Sequence, residues 1–559
     1  MNDKLQIVFG LLGGLAIFIY GMNMMSECLQ KAAGEKMRSI LALLTKNPVM
    51  GVLAGALTTA VLQSSSATTV MAIGFVSAGF MNLPQAISII IGANIGTTMT
   101  AQIIAFKLSD YIYAIIFVGF MISFLVKSEK VKNIGQTIFA FGLLFLGIET
   151  MGSVMKPLAD SPVFTDMIAR VSDIPILGVA VGTLMTLVVQ SSSATVAVLQ
   201  NFASQAGPDG VTSVIGLAGA IPILFGDNIG TTITAVLASI GQTKDAKRTA
   251  VAHCIFNISG TFLFIWFIHP FAKFIQMISP KGPEVEVISR QIANAHTIFN
   301  CVMTLIWVPL IWLMVKIVMC IIPDGDKTQY SLSEPLYLDD NLMGQPTAAL
   351  QLVAKEVLHC GEIVKAMLRE TAEALANNEK KVVEEVHHKV EAVNSLNIRI
   401  TQYLTDLFAS GSLTEEQAAQ SAGIMYVLSD IDRMGALCGD VAVGIREKIE
   451  KKYKYSKEAM KDLGKSLTLI EGMYSEVLEA IISGNPEDVK AIVKKREKVR
   501  ELDISMRKAH MSRVSKGKCD ASLTAPFNSI LYSIDRMGNS CVNIADTVQG
   551  QLELNLFQA

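Results

Sequence analysis

From Leu5 to about Ile322 the chain is dominated by apolar segments, several of them long enough to cross a bilayer, which takes about 20 residues. Such a stretch has few ways to fold, because lipid offers no partner to an unpaired backbone group and admits only helices or closed barrels. Twice it is interrupted by nearly the same polar cluster, Gln63-Ser64-Ser65-Ser66-Ala67-Thr68-Thr69 and Gln190-Ser191-Ser192-Ser193-Ala194-Thr195. Polar groups at membrane depth are expensive and need a reason. Duplication makes chance a poor one.

Matched landmarks surround the two clusters in the same order. Pro48 to Leu62 and Ala67 to Phe80 are apolar but too short to span, so they read as half-helices or a hairpin entering the membrane partway. Pro175 to Val189 leads into the second cluster in the same way. Gly92-Ala93-Asn94-Ile95-Gly96-Thr97-Thr98 returns as Gly226-Asp227-Asn228-Ile229-Gly230-Thr231-Thr232, and its glycines and Asn predict an interruption of the helix from Ala86 to about Phe106. Leu5 to about Met25 forms a first helix, echoed by Gly142 to Met151, with an amphipathic connection carrying Lys31, Lys36, Arg38 and Lys46 after it. A shorter echo, Ala252-His253-Cys254-Ile255-Phe256-Asn257 and Ala295-His296-Thr297-Ile298-Phe299-Asn300, opens two long apolar helices, about Ala250 to Ile268 and Ile292 to Ile321.

The chain is 17% charged, below the roughly 25% usual for globular proteins, and the charge is concentrated after Pro323. There the apolar residues recur at helical spacing, with breaks near Asn377-Asn378, Gly411-Ser412, Tyr453 to Ser456, Gly484-Asn485-Pro486 and Lys516-Gly517-Lys518. About six helices result. Ser429 to Gly435 recurs as Tyr532 to Gly538, each in the third helix of a triplet, so this part is also duplicated. The expected fold is all-α: a polytopic membrane unit of two inverted repeats with broken helices or helical hairpins, then a soluble bundle of two three-helix repeats. Residues 1–132 form the first repeat, 133–322 the second with extra helices, 323–344 a linker and 345–559 the soluble domain.

Topology follows from charge. Lys127 to Lys132, Lys244 to Arg248 and the segment after Lys316 should be cytoplasmic, together with the soluble domain. The basic connection Lys31 to Lys46 has an acidic counterpart, Lys156 to Asp173, which favours inverted repeats and an external N-terminus. The net charge of -2 suggests no nucleic-acid partner. Eight scattered cysteines without a CxxC suit a reducing cytosol.

A helix broken inside a membrane offers carbonyls to a cation at one end and N–H groups to an anion at the other. Ser and Thr at the second half-helix add hydroxyls. No Lys or Arg lies between Lys46 and Lys107, or between Arg170 and Lys244, so an oxyanion would be held without a fixed cation and balanced by co-bound ions. Close helix packing is the simpler use of Ser, Thr and Gly, but it does not explain Gln63, Gln190, Asn94 and Asn228, whose burial is costly without partners. Glu149 and Asp227 are the acids nearest the apolar core, and Asp227 adjoins Asn228 as a candidate cation ligand. His253 and His296 are either proton relays or structural hydrogen-bonders.

Twin Gln-Ser-Ser-Ser motifs, each followed by Gly-x-Asn-Ile-Gly-Thr-Thr, resemble the type II sodium–phosphate cotransporter family over roughly Leu5 to Ile322. The resemblance implies a secondary transporter of inorganic phosphate coupled to Na+ in the cell membrane, working by alternating access around a central site. Its phosphate and Na+ ligands would be Gln63, Ser64, Ser65, Ser66, Thr68, Asn94, Thr97, Thr98, Gln190, Ser191, Ser192, Ser193, Thr195, Asp227, Asn228, Thr231 and Thr232. It implies Na+ as coupling ion, no organic cofactor and no enzyme activity, with uptake and export sharing one machinery. The C-terminal half resembles the PhoU-like domain, whose acid-x-x-x-Asp motifs hold metals. Here Asp432 and Asp535 stand first, but Ala436 and Asn539 replace the second acid, leaving Asp432, Asp440, Asp535 and Asn539 as the candidate metal ligands. The domain reads first as a regulatory or dimerising module, with a homodimer as a candidate assembly, and metal binding is the alternative role. An anion channel, or an intramembrane hydrolase pairing a Ser with His253 or His296, would replace the transporter if flux were uncoupled or absent.

Overall fold

The computed structural model describes residues 3–42, 47–106, 108–159, 174–207, 209–323, 332–411, 413–483 and 486–550. Lys46, Lys107, Pro208, Ser412, the pair Gly484-Asn485, most of the Lys156 to Asp173 connection and residues 324–331 of the expected linker lie outside them. Two units emerge, Met1–Gly325 and Asp326–Ala559.

In the first unit, α1 (Asp3–Ala42) is followed by the hairpin of α2 (Pro48–Leu62) and α3 (Ser65–Ser77), then α4 (Leu83–Ile104) and α5 (Ile112–Leu125). The order then restarts with α6 (Glu129–Ala159), the hairpin of α7 (Pro175–Val189) and α8 (Ser192–Ala203), and α9 (Gly216–Ala238). Helices α10 (Lys244–Phe264), α11 (Ile268–Ile278), α12 (Glu284–Trp307) and α13 (Ile311–Ile321) complete it. Among the described residues, five helices are long and apolar enough to cross a membrane, or six if α12 and α13 are one span bent by 84°. Outward-facing Phe117, Phe124, Ile176, Val188, Trp266 and Leu305 are each more than half exposed, as side chains against lipid would be.

Three expectations need correction. The first helix does not stop near Met25 but continues to Ala42 through the basic connection. Of the two long terminal helices, the first lies within one apolar span, Lys244–Ile278, that passes through a 3-10 turn at Ile265–Phe267, whereas the second is divided by the sharp bend before Ile311. Most importantly, α4 and α9 run unbroken through Gly92 to Thr98 and Gly226 to Thr232. The glycines serve a crossing rather than a break. A Cβ on Gly92 would sit 2.0 Å from the Val52 carbonyl oxygen, and one on Gly55 2.1 Å from that of Ile89. The second repeat matches, with Gly226 against the Val179 oxygen and Gly182 against the Ile223 oxygen, both at 2.0 Å. Helices α2 and α4, like α7 and α9, therefore touch backbone to backbone, which only glycine permits.

The two hairpins also reach across the repeats: α3 packs on α9, and α8 packs on α4. Helices α10 and α12 each touch both α4 and α9.

The second unit contains α14 (Pro346–Asn377), α15 (Lys380–Ala409), α16 (Glu415–Glu450), α17 (Lys457–Ser483), α18 (Pro486–Ser515) and α19 (Thr524–Gly550). One continuous apolar core joins them, from Leu350 and Val353 through Ile431 and Met434 to Ile534 and Met537. Ion pairs Lys389–Glu370 and Lys495–Glu476 occupy corresponding places in the two triplets. No strand occurs among the described residues of either unit, and the Ala206–Ser213 pairing is an isolated bridge.

Candidate functional site

Each hairpin turns by the same two-residue device. Gln63 ends α2 in the left-handed region (φ 52°, ψ 23°), and Ser64 then extends and caps α3, accepting a hydrogen bond from the Ala67 N–H at 3.2 Å. Gln190 (φ 53°, ψ 24°) and Ser191, which accepts from Ala194 N–H at 3.3 Å, repeat it. Positive φ at a non-glycine residue costs of order 1 kcal/mol or more and persists only where the surroundings enforce it. The turn brings together the last carbonyls of one helix and the first N–H groups of the next. Those of Ser65, Ser66, Ser192 and Ser193 have no acceptor within their helices. Each tip is thus electropositive on one side and oxygen-rich on the other.

Hydroxyls brace the tips from inside. Thr59 Oγ1 lies 2.8 Å from Thr68 Oγ1, and Thr186 Oγ1 lies 3.0 Å from Thr195 Oγ1. Here the repeats diverge. Thr186 also donates to Asp227 Oδ1 at 2.7 Å, whereas Ala93 holds the equivalent place in the first repeat. Asp227 is wholly buried, and its Oδ2 has no partner among the described residues.

Asn94 and Asn228 are buried, each facing a buried histidine: His253 Nε2 is 3.3 Å from Asn94 Oδ1, and His296 Nε2 is 3.1 Å from Asn228 Oδ1. Thr98 and Thr232 bond back to the carbonyls of Ile95 and Ile229, both at 2.8 Å. Thr231 bonds to the Asp227 carbonyl at 2.9 Å, while Thr97 Oγ1 is buried without a partner among the described residues.

Contacts between repeats close the arrangement. Ser66 Oγ receives Thr234 Oγ1 at 3.1 Å, and Gln200 Nε2 donates to the Ala101 carbonyl at 3.1 Å. Gln63 is buried, its Oε1 accepting from Thr100 at 2.9 Å. Gln190 is exposed instead, so the two tips share a backbone but not a side-chain setting. Thr59, Thr186, Thr100, Thr234 and Gln200 were not singled out from the sequence. Thr59 and Thr186 had a readable signal, since each stands four residues before its Gln-Ser-Ser-Ser.

The donors suit a hard monovalent cation and an oxyanion: hydroxyls, amides, carbonyls and helix N-termini, with one buried carboxylate. No group of three or more His, Cys, Asp and Glu able to hold a metal ion occurs among the described residues. In the second unit, Arg496 bonds to Asp535 at 2.7 Å and to Asn539 at 2.8 Å, so a guanidinium pairs with two of the four candidate metal ligands. Asp440 is exposed. Asp432 is half-buried, and burial raises its carboxyl pKa against a hydrogen bond from Asn397 that lowers it.

Comparison with known proteins gives two family matches. Residues 17–153 and 151–279 match the Na+/Pi-cotransporter family, and residues 357–444 and 464–548 match the PhoU domain. The Bacillus subtilis protein YqeW, uncharacterised, is 33% identical over 266 residues, 48% of this chain and 84% of its own. YjbB of Salmonella typhimurium, provisionally named an inorganic phosphate export protein, is 24% identical over 97% of both chains. The sodium-dependent phosphate transport protein 2A of Rattus norvegicus is 36% identical over 107 residues, 19% of this chain and 17% of its own.

Proposed function

Because the chain belongs to the Na+/Pi-cotransporter family and carries a PhoU domain, we propose that it is a secondary transporter moving inorganic phosphate across the cell membrane together with Na+. The observation that carries this reading is the repeated tip, Gln63-Ser64 and Gln190-Ser191, with the same backbone angles in both halves. Phosphate oxygens would meet the N–H groups and hydroxyls of Ser65, Ser66, Ser192 and Ser193. Na+ would take hydroxyl and carbonyl oxygens near Thr68, Thr195, Thr97, Thr231 and Asp227. With no Lys or Arg in residues 47–106 or 171–243, the anion's charge would be balanced by ions that leave with it. That suits a carrier, which must release what it binds.

Alternating access follows from two inverted repeats that rock around the shared site. The Lys-rich ends near Lys127, Lys244 and Lys316 would face the cytoplasm with the PhoU domain. A second reading concerns direction. The likeness to YjbB over 97% of both chains favours outward movement of phosphate in the cell.

Flux of radiolabelled phosphate in proteoliposomes tests both. Accumulation driven by an imposed Na+ gradient supports coupling, and flux indifferent to Na+ contradicts it. In growing cells, a deletion strain that retains more phosphate supports export, and one that takes up less contradicts it.

A further inference from the structure

The duplicated Ala-His-x-Ile-Phe-Asn segments lie outside the proposed ligand set, yet both end on it. His253 on α10 and His296 on α12 are each 1% exposed, and each points Nε2 at the side-chain oxygen of an Asn in the site. An amide oxygen only accepts, so with the amides placed this way each imidazole donates from Nε2 and leaves Nδ1 as the bare nitrogen. Neither Nδ1 has a partner among the described residues.

The amide orientation is fixed at Asn94. Its Nδ2 donates to the Ile90 carbonyl at 2.9 Å, and reversing the amide would set two oxygens against each other there. Asn257 and Asn300 tie the same turns, donating to the carbonyls of His253 and His296 at 3.1 and 3.0 Å. At Asn228 the oxygen is engaged by His296, but Nδ2 is buried with no partner among the described residues. A buried N–H2 left without an acceptor is costly, and it stands as a donor open to a bound anion.

We propose that His253 and His296 are positioning residues that occupy the side-chain oxygens of Asn94 and Asn228, so that Asn228 presents its N–H2 group to an oxyanion rather than its oxygen to Na+. This rests on the phosphate–Na+ reading above, and it assigns Asn228 to the phosphate part of that site. His296 holds the amide in the donating orientation. Without the imidazole N–H, the amide turns over and offers oxygen to the anion, which repels it.

The test uses purified full-length protein. Thermal unfolding is followed while inorganic phosphate is titrated at fixed Na+, and while Na+ replaces choline at fixed phosphate. His296→Phe keeps the ring volume without a donor, and His296→Gln restores an Nε2 donor. The expected result for His296→Phe is a half-saturating phosphate concentration raised about fivefold or more, with that for Na+ within about twofold. His296→Gln should return to near wild type, which a merely structural ring would not explain. Asn228→Asp, similar in shape but lacking the donor, should lose the phosphate response and keep the Na+ response, whether or not His296→Phe folds. A shift in Na+ alone, no shift in either, or a phosphate response surviving in Asn228→Asp would overturn the assignment. Wild-type protein stabilised by neither ligand would overturn the transport reading itself, and the assignment with it.

Discussion

Thr186 donates its hydroxyl proton to Asp227 across 2.7 Å, whereas the matching Thr59 has, among the described residues, only Thr68 as its hydroxyl partner, at 2.8 Å. The two repeats are therefore alike in backbone and unlike in the side chains behind the tip. One carboxylate, fully buried, distinguishes the second half from the first.

Asp227→Asn keeps an oxygen for Thr186 and removes the charge. If the carboxylate serves Na+, the Na+ concentration giving half-maximal phosphate flux should rise about tenfold, which corresponds to about 1.4 kcal/mol. An unchanged Na+ dependence would take Asp227 out of the ion path.

The left-handed turn residues make a separate prediction about stability. Gln63→Val and Gln190→Val should each cost about 1–2 kcal/mol or more, because a β-branched residue resists positive φ. Gln63→Gly and Gln190→Gly should keep the hairpin, and Gln63→Gly should still lose the contact to Thr100. Detergent-solubilised melting curves check the pairs. Equal melting of the Val and Gly variants would contradict the enforced turn.

The crossing glycines should tolerate nothing larger. Gly55→Ala and Gly182→Ala each press a methyl to about 2 Å from a backbone oxygen, so about 1–3 kcal/mol of stability should be lost. Gly464→Ala in α17 meets nothing within 4 Å and should be neutral or gain up to about 1 kcal/mol. Size-exclusion profiles of heated samples would separate the two kinds of site.

In the PhoU domain, burial raises the Asp432 pKa above its ordinary value. Its carboxyl group thus favours the fold most below the unfolded-state pKa, and that contribution is lost as pH rises through the folded one. Asp432→Asn should therefore raise the melting temperature at neutral pH and lose that advantage in acid. A variant less stable than wild type at neutral pH would show that Asn397 outweighs the burial.

The hairpins could be read from the chain because a polar cluster between two short apolar runs has few homes in a membrane, and because it occurs twice. The run Gly92 to Thr98 was misleading for a physical reason. Glycine marks both a helix break and a close helix crossing, and only the position of Val52 and Ile89 tells them apart. The bonds from His253 to Asn94 and from His296 to Asn228 span 159 and 68 residues, so local pattern carries no trace of them. Gln63 and Gln190 stand in the same motif, yet one is buried and the other exposed. That difference comes from neighbours such as Thr100, not from the motif itself.

The central claim is that one phosphate site is built from both hairpins and needs Na+. Equilibrium binding of radiolabelled phosphate to the purified full-length protein, with Na+ or choline, tests it most directly in wild type, Ser65→Ala and Ser192→Ala. The account predicts saturable binding in Na+ only, weakened several-fold by each single substitution although the two residues lie in different repeats. Binding indifferent to Na+, or unchanged in both variants, would contradict it.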